Sequence, residues 1–283
     1  MFAVLLVLCI VGITVQEVVR KIYNQKVTGG GFTFSAFSVL FALVVFVLSS
    51  KGKMDFSWEF IPYSIGFAVF YSAAMVGSFF AIITGPLSIT GLISKYSLLI
   101  PTLYGILFLR EPTGPLLYIG LALVAVSLLL VNLEGNASDK RLSLKWAIFM
   151  LISFIGNGGC STVQKVQQID CQGAYKNEFM IVALAISFLS MMVAALIFER
   201  DNFRKKVTVG AHWYIICGLA NGLVNLFVLM LAKWPASVVY PVISAGGIVA
   251  TAVVGTLAYK EKMSIPQIFG MILGTLSIVF LNM

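Results

Sequence analysis

Val15-Gln16-Glu17-Val18, a polar pair set into an apolar run, returns as Val163-Gln164-Lys165-Val166, 148 residues on (163 less 15). The register holds elsewhere. Pro86-Leu-Ser88 returns as Pro235-Ala-Ser237 at an offset of 149 (235 less 86). At an offset of 150 (244 less 94), Ser94, Gly105, Glu111, Gly120, Ser127 and Asn132 meet Ser244, Gly255, Glu261, Gly270, Ser277 and Asn282. Chance does not readily keep one register over so much chain, so the sequence reads as a tandem duplication of about 150 residues.

Working outward from these matches, ten apolar runs emerge, near 2–22, 31–49, 59–83, 86–109, 114–133, 144–168, 178–198, 211–232, 235–259 and 265–282. Gly, Pro and charge clusters separate them, as at Arg110-Glu-Pro112, Trp234-Pro235 and Lys260-Glu-Lys262. Each run approaches the roughly 20 apolar residues that cross a bilayer core as one helix. The expected fold is therefore all-α, a polytopic membrane protein of ten transmembrane helices. Residues 1–135 form the first five-helix repeat, 136–143 a connecting loop and 144–283 the second repeat. Five is odd, so the second repeat enters from the opposite face and the two are inverted, an arrangement found mostly in transporters.

Composition agrees. Of 283 residues, 60% are hydrophobic and 11% charged, against about 45–50% and 25% in a soluble domain. The net charge of +8 does not imply nucleic acid, because most Lys and Arg fill short gaps between apolar runs and no basic stretch interleaves with aromatics. The bilayer is the first expected partner. Cys9, Cys160, Cys171 and Cys217 lack CxxC spacing and read as core thiols, with no metal and no cofactor called for. The run from Phe2 lacks a basic leader and a small-residue cleavage site, so it reads as a retained first helix.

The stretches Gly85-Pro-Leu-Ser88, Ser94, Pro101-Thr-Leu-Tyr-Gly105, Leu109-Arg-Glu-Pro112 and Gly120, with Tyr240-Pro-Val-Ile-Ser-Ala-Gly-Gly247, Tyr259-Lys-Glu-Lys262 and Gly270, resemble the ten-helix drug/metabolite transporter superfamily, in its EamA-like branch. The resemblance covers nearly the whole chain. It implies a central cavity between the halves, alternating access, and export or exchange of amino acids, metabolites, drugs or sugar derivatives. It also implies cytoplasmic termini, whereas the charge count points the other way. Twelve Lys and Arg lie at loops 1, 3, 5, 7 and 9, and five on the side of the termini, which by the positive-inside rule puts the termini outside. The two ends share a side on either reading. The expected location is the cell (inner) membrane.

An ionisable group within a span costs about 2.5–3.5 kcal/mol and is a site candidate by default. Glu17, Lys95 and Lys165 lie well inside. Helix rise puts Glu17 about 7.5 Å and Lys95 about 4.5 Å from mid-membrane on one side, with Lys165 on the other. Glu17 and Lys95 are expected either to hold the ends of a polar solute or pass a proton, or to form a permanent ion pair. Glu17 could equally bind Arg20 or Lys21 one turn away. Tyr71, Ser94, Tyr96, Asn157, Asn221, Asn225, Tyr240 and Ser244 offer hydrogen bonds near the same depth, to the solute or to a neighbouring helix. Gln16 and Gln164 hold equivalent places, as symmetric gates or as helix contacts. Gly218-x-x-x-Gly222 and Gly270-x-x-x-Gly274 read as close-packing pairs, the latter with a homodimer contact as alternative. Pro101 and Pro241 are expected to kink their spans, and His212 to face headgroups or water.

No GxxxxGK[ST], HExxH or GxSxG is present, so an ATPase or an intramembrane enzyme is not expected. A two-half chain suits a carrier better than a channel, and an accessory membrane protein has no evident use for buried Glu17 and Lys95. The leading expectation is secondary active transport of a small polar metabolite such as an amino acid, outward, with a proton as candidate coupling ion. Import or exchange of an organic anion, guided by Lys95, comes next, ahead of exchange of a sugar-type metabolite.

Overall fold

The computed structural model describes residues 1–27, 30–84, 96–132, 143–200, 203–259 and 265–281. Ten α-helices lie among them: α1 (Phe2–Lys26), α2 (Gly31–Ser50), α3 (Ile61–Thr84), α4 (Leu99–Leu107), α5 (Pro115–Asn132), α6 (Leu144–Asp170), α7 (Lys176–Phe198), α8 (Phe203–Leu231), α9 (Ala236–Tyr259) and α10 (Ile265–Leu281). Each matches one expected apolar run. Stretches within α1, α2, α3, α6, α7 and α8 are long and apolar enough to cross a membrane by length and composition, and shorter apolar stretches fall in α5, α9 and α10. The chain is a multi-pass integral membrane protein.

The helix ends follow local chemistry. Ser143 opens α6 by accepting the Trp146 N–H at 3.1 Å. Gly30 precedes α2 with φ of +90°, a conformation that favours glycine, and a Cβ there would meet the Tyr23 hydroxyl at 2.8 Å. α8 starts at Phe203, eight residues before the expected 211 (211 less 203). Arg and Lys are good helix formers, so Arg204-Lys-Lys206 carries the helix beyond its apolar part. Ahead of Pro101 the chain makes a turn at Ser97-Leu98, with Ile100 N–H donating to Ser97 O at 3.1 Å. The proline ring excludes a helical bond to that same carbonyl, four residues back. Pro241 sits inside continuous α9.

The helices pack in matched pairs: α3 on α6 and α1 on α8, α2 on α8 and α3 on α7, α1 on α9 and α4 on α6. α2 on α7, α5 on α10, α4 on α9 and α9 on α10 complete the main set, the last without a matched counterpart among the described residues. Glycines permit the closest crossings. A Cβ on Gly156 would meet Ala74 N at 2.5 Å, one on Gly77 Ser153 N at 2.6 Å, and one on Gly218 would run into the Ser38 carbonyl oxygen. Gly270 accepts the Ser127 hydroxyl at 2.6 Å, which ties α10 to α5. Lipid replaces water around this bundle, and the outer faces show it: Val4, Val7, Leu8 and Val11 on α1 and Leu189, Val193, Leu196 and Ile197 on α7 are all exposed.

Candidate functional site

Asn221 and Asn225 stand one turn apart on α8 and so share a face. Around them a hydrogen-bonded chain joins four helices. Tyr71 on α3 donates to Asn221 Oδ1 at 3.2 Å, and Asn221 Nδ2 donates to Gln16 Oε1 on α1 at 2.9 Å. Asn225 Nδ2 reaches Asn221 Oδ1 at 3.1 Å, and Gln164 on α6 donates to Asn225 Oδ1 at 2.8 Å. All five groups are uncharged amides or a phenol, able both to donate and to accept. Inside a membrane such groups are satisfied by one another or by a solute.

One cavity lies toward each end of the chain, and three of its members, Gln16, Tyr71 and Asn221, line the smaller one. One, of about 460 Å³, is lined by Leu109, Glu111, Lys165, Gln168, Gln172, Lys176, Leu229, Met230, Lys233 and Trp234 among others, at the ends of α4, α6 and α8. It reaches the surface at exposed Gln172 and Lys233, on the side of the N-terminus, where the Phe2 ring packs tilted against Trp234 at 5.0 Å. The other is a void of about 10 Å³ lined by Gln16, Arg20, Phe34, Ser35, Ser38, Tyr71, Met75, Cys217 and Asn221, room for about one water. Cys217 lines the void and Leu229 the large cavity, so the two mark points about 18 Å apart along α8, with Asn221 and Asn225 between them.

Two carboxylates that the sequence places at breaks between spans turn inward. Glu111 accepts the N–H groups of Ala236 at 2.7 Å and Ser237 at 2.9 Å, capping α9 from outside that helix. Lys165 lies 3.5 Å from Glu111, both side chains under 10% exposed, and donates to the carbonyls of Ala232 and Trp234. Glu199 caps α2 likewise, accepting from Phe32 N–H, Thr33 N–H and the Thr33 hydroxyl at 2.7–2.9 Å. A carboxylate is favoured at such a positive helix end.

Of the expected site residues, Tyr71, Asn221 and Asn225 come together in the polar chain. Asn157 instead bonds back to Ser153 on its own helix, and Ser153 meets Ser78 at 2.6 Å, an α3–α6 contact. Tyr240, on α9, donates to Ser161 O at 2.8 Å, and Tyr96 to Ala125 O at 3.1 Å. Ser244 is buried on α9 and Glu17 half-buried on α1. Lys95 and Ser94 lie outside the described residues. Gln16, Gln164, Lys165 and Glu111 join the site; the signal for Gln16 and Gln164 was their equivalent place in the two halves, and for Lys165 its charge within a span. His212 is exposed against Trp213. Cys9, Cys160 and Cys217 are buried free thiols. Cys171, in the α6–α7 loop, has its thiol pKa raised by burial, a hydrogen bond with Gln167 pulling the other way. Among the described residues no three of His, Cys, Asp and Glu gather as a metal site.

Comparison with known proteins places the fold. A crystal structure described only as "Crystal structure of protein" matches at a TM-score of 0.80, covering 100% of this chain and 99% of its own, with 10% of residues identical. At that identity the likeness is one of fold. No curated protein matches the chain. The model of the EamA-like transporter family matches residues 144–283. Through that half, from the first residue of α6 to the C-terminus, the chain belongs to the EamA-like transporter family of the drug/metabolite transporter superfamily, and it is a membrane transporter.

Proposed function

We propose that the chain is a secondary active transporter that moves a small polar metabolite, an amino acid or a related compound, outward across the cell (inner) membrane by alternating access. The observation that carries this reading is the uncharged chain of Gln16, Tyr71, Asn221, Asn225 and Gln164, running from the small void that three of its members line toward the large cavity. A solute entering the large cavity can trade these internal hydrogen bonds for bonds to itself, at little net cost because donors and acceptors exchange one for one. When the helices that carry the chain shift, the large cavity narrows and the small void widens. Residues 1–135 and 144–283, joined by 136–143, act as inverted repeats in this scheme, and the matched helix pairs support it: exchanging each helix for the one five places along turns α3 on α6 into α8 on α1.

A proton is the proposed coupling ion, with half-buried Glu17 as its carrier. The test is release from proteoliposomes loaded with a mixture of amino acids, with and without an imposed proton gradient, read by mass spectrometry. The reading requires saturable release of a few amino acids, accelerated by the gradient. Release no faster than from protein-free liposomes would overturn it.

A further inference from the structure

The small void between α1, α2, α3 and α8 holds two polar groups that the protein itself meets weakly or not at all. Ser38 is 8% exposed, and its hydroxyl makes no hydrogen bond; its polar neighbour is the Cys217 thiol, a weak partner at best. Arg20 lines the same void, half-buried, and among the described residues it has neither a hydrogen bond nor an ion pair, Glu17 one turn away included. A buried hydroxyl left unpaired costs about 1–3 kcal/mol, and Arg20, the last residue of the first apolar span, is a charge with no counter-ion among the described residues. Elsewhere in this bundle buried charge is met: Lys165 by Glu111 and two carbonyls, Glu199 by three donors.

We propose that Arg20 and Ser38 form the anion-recognising part of the solute site, and that the solute carries a carboxylate. In the loaded state the planar guanidinium takes the carboxylate in a two-point pairing, and the Ser38 hydroxyl donates a further bond to it. Gln16, Asn221 and Tyr71, which line the same void, meet the solute's other polar groups. The void of about 10 Å³ is the closed form of this site, and the solute reaches it as the surrounding helices part. This inference rests on the transport reading above and narrows its substrate class.

The experiment uses the purified full-length protein in detergent. Its thermal unfolding is followed with each of the common L-amino acids and, beside each, the corresponding L-amino-acid amide, which keeps the side chain and amine but loses the carboxylate. At least one acid is expected to stabilise the wild type while its amide does not. The half-saturating concentration should rise about 100-fold in Arg20→Gln, as for a lost charge-assisted bond, and less in Arg20→Lys. Ser38→Ala should raise it about 5-fold while leaving the unliganded melting temperature unchanged or higher, so it serves if Arg20→Gln does not fold. Equal stabilisation by acid and amide, or unchanged saturation in both Arg20→Gln and Ser38→Ala, would overturn the inference while leaving transport standing. Stabilisation by no acid would overturn it too, and release from loaded liposomes judges the transport reading separately.

Discussion

Removing the Glu111 carboxylate is the most informative single change to this bundle. It stabilises the α9 end through two backbone N–H bonds and faces Lys165 at 3.5 Å, with both side chains nearly enclosed. Breaking a buried ion pair by deleting one partner costs about 3–5 kcal/mol, because the other charge is left behind. Losing the cap adds about 1 kcal/mol. Lys165 keeps the carbonyls of Ala232 and Trp234, which offsets part of this, so the net loss for Glu111→Ala is about 3 kcal/mol. At roughly 2–4 °C per kcal/mol for a chain of this order of size, the melting temperature should fall by about 6–12 °C. Lys165→Met leaves Glu111 its two N–H donors and should lose less. The double variant should lose about 2 kcal/mol less than the sum of the singles, the mark of direct coupling. The assay is intrinsic fluorescence during thermal unfolding of the purified protein. A Glu111→Ala melt within 2 °C of wild type, or single losses that simply add, would refute the reasoning.

Other expectations follow from the same geometry. Asn221→Leu breaks the polar chain at its branch, where it touches Tyr71, Gln16 and Asn225; transport should fall at least tenfold while the protein still elutes as a single species in size-exclusion chromatography. Gly156→Val drives a side chain into the α3 backbone, 2.5 Å from Ala74 N, and should abolish folded expression, whereas Gly114→Ala, with nothing within 4 Å, should be silent by the same readout. Cys171 is the one free cysteine that is not fully buried. With its thiol pKa raised by burial, less of it is thiolate at neutral pH than in a free cysteine. Its maleimide labelling should be slower than that of a small-thiol control at pH 7.5, and should go on rising after the control levels off.

The membrane class and the ten helices among the described residues were legible because a span needs a long apolar run, and such runs declare themselves along the chain. Helix facing was not legible. Asn157 and Asn221 fall at similar depths, yet one bonds back into its own helix and the other reaches Tyr71 and Gln16 on two other helices. In helices apolar on nearly every side, sequence does not mark the inward face. Glu111 matched Glu261 in the repeat, but nothing local ties it to Lys165, 54 residues on (165 less 111), and the ring of α4, α6 and α9 that joins them exists only in three dimensions. Arg20 reads as a local partner of Glu17 by spacing alone; the fold turns it to the void instead.

The central claim is that two cavities, one toward each end of the polar chain, open by turns. It is tested most directly by single cysteines on a background free of Cys9, Cys160, Cys171 and Cys217, at Gln172 in the large cavity and Ser35 in the small one, labelled with an impermeant maleimide in vesicles of each orientation. Gln172→Cys should label fast from the side of the termini only, and Ser35→Cys slowly from the other side only. Pinning the large cavity shut, with a crosslink between cysteines at 172 and 233, should speed labelling at 35 severalfold. Labelling of both positions from one side, or a rate at 35 indifferent to the crosslink, would contradict the account.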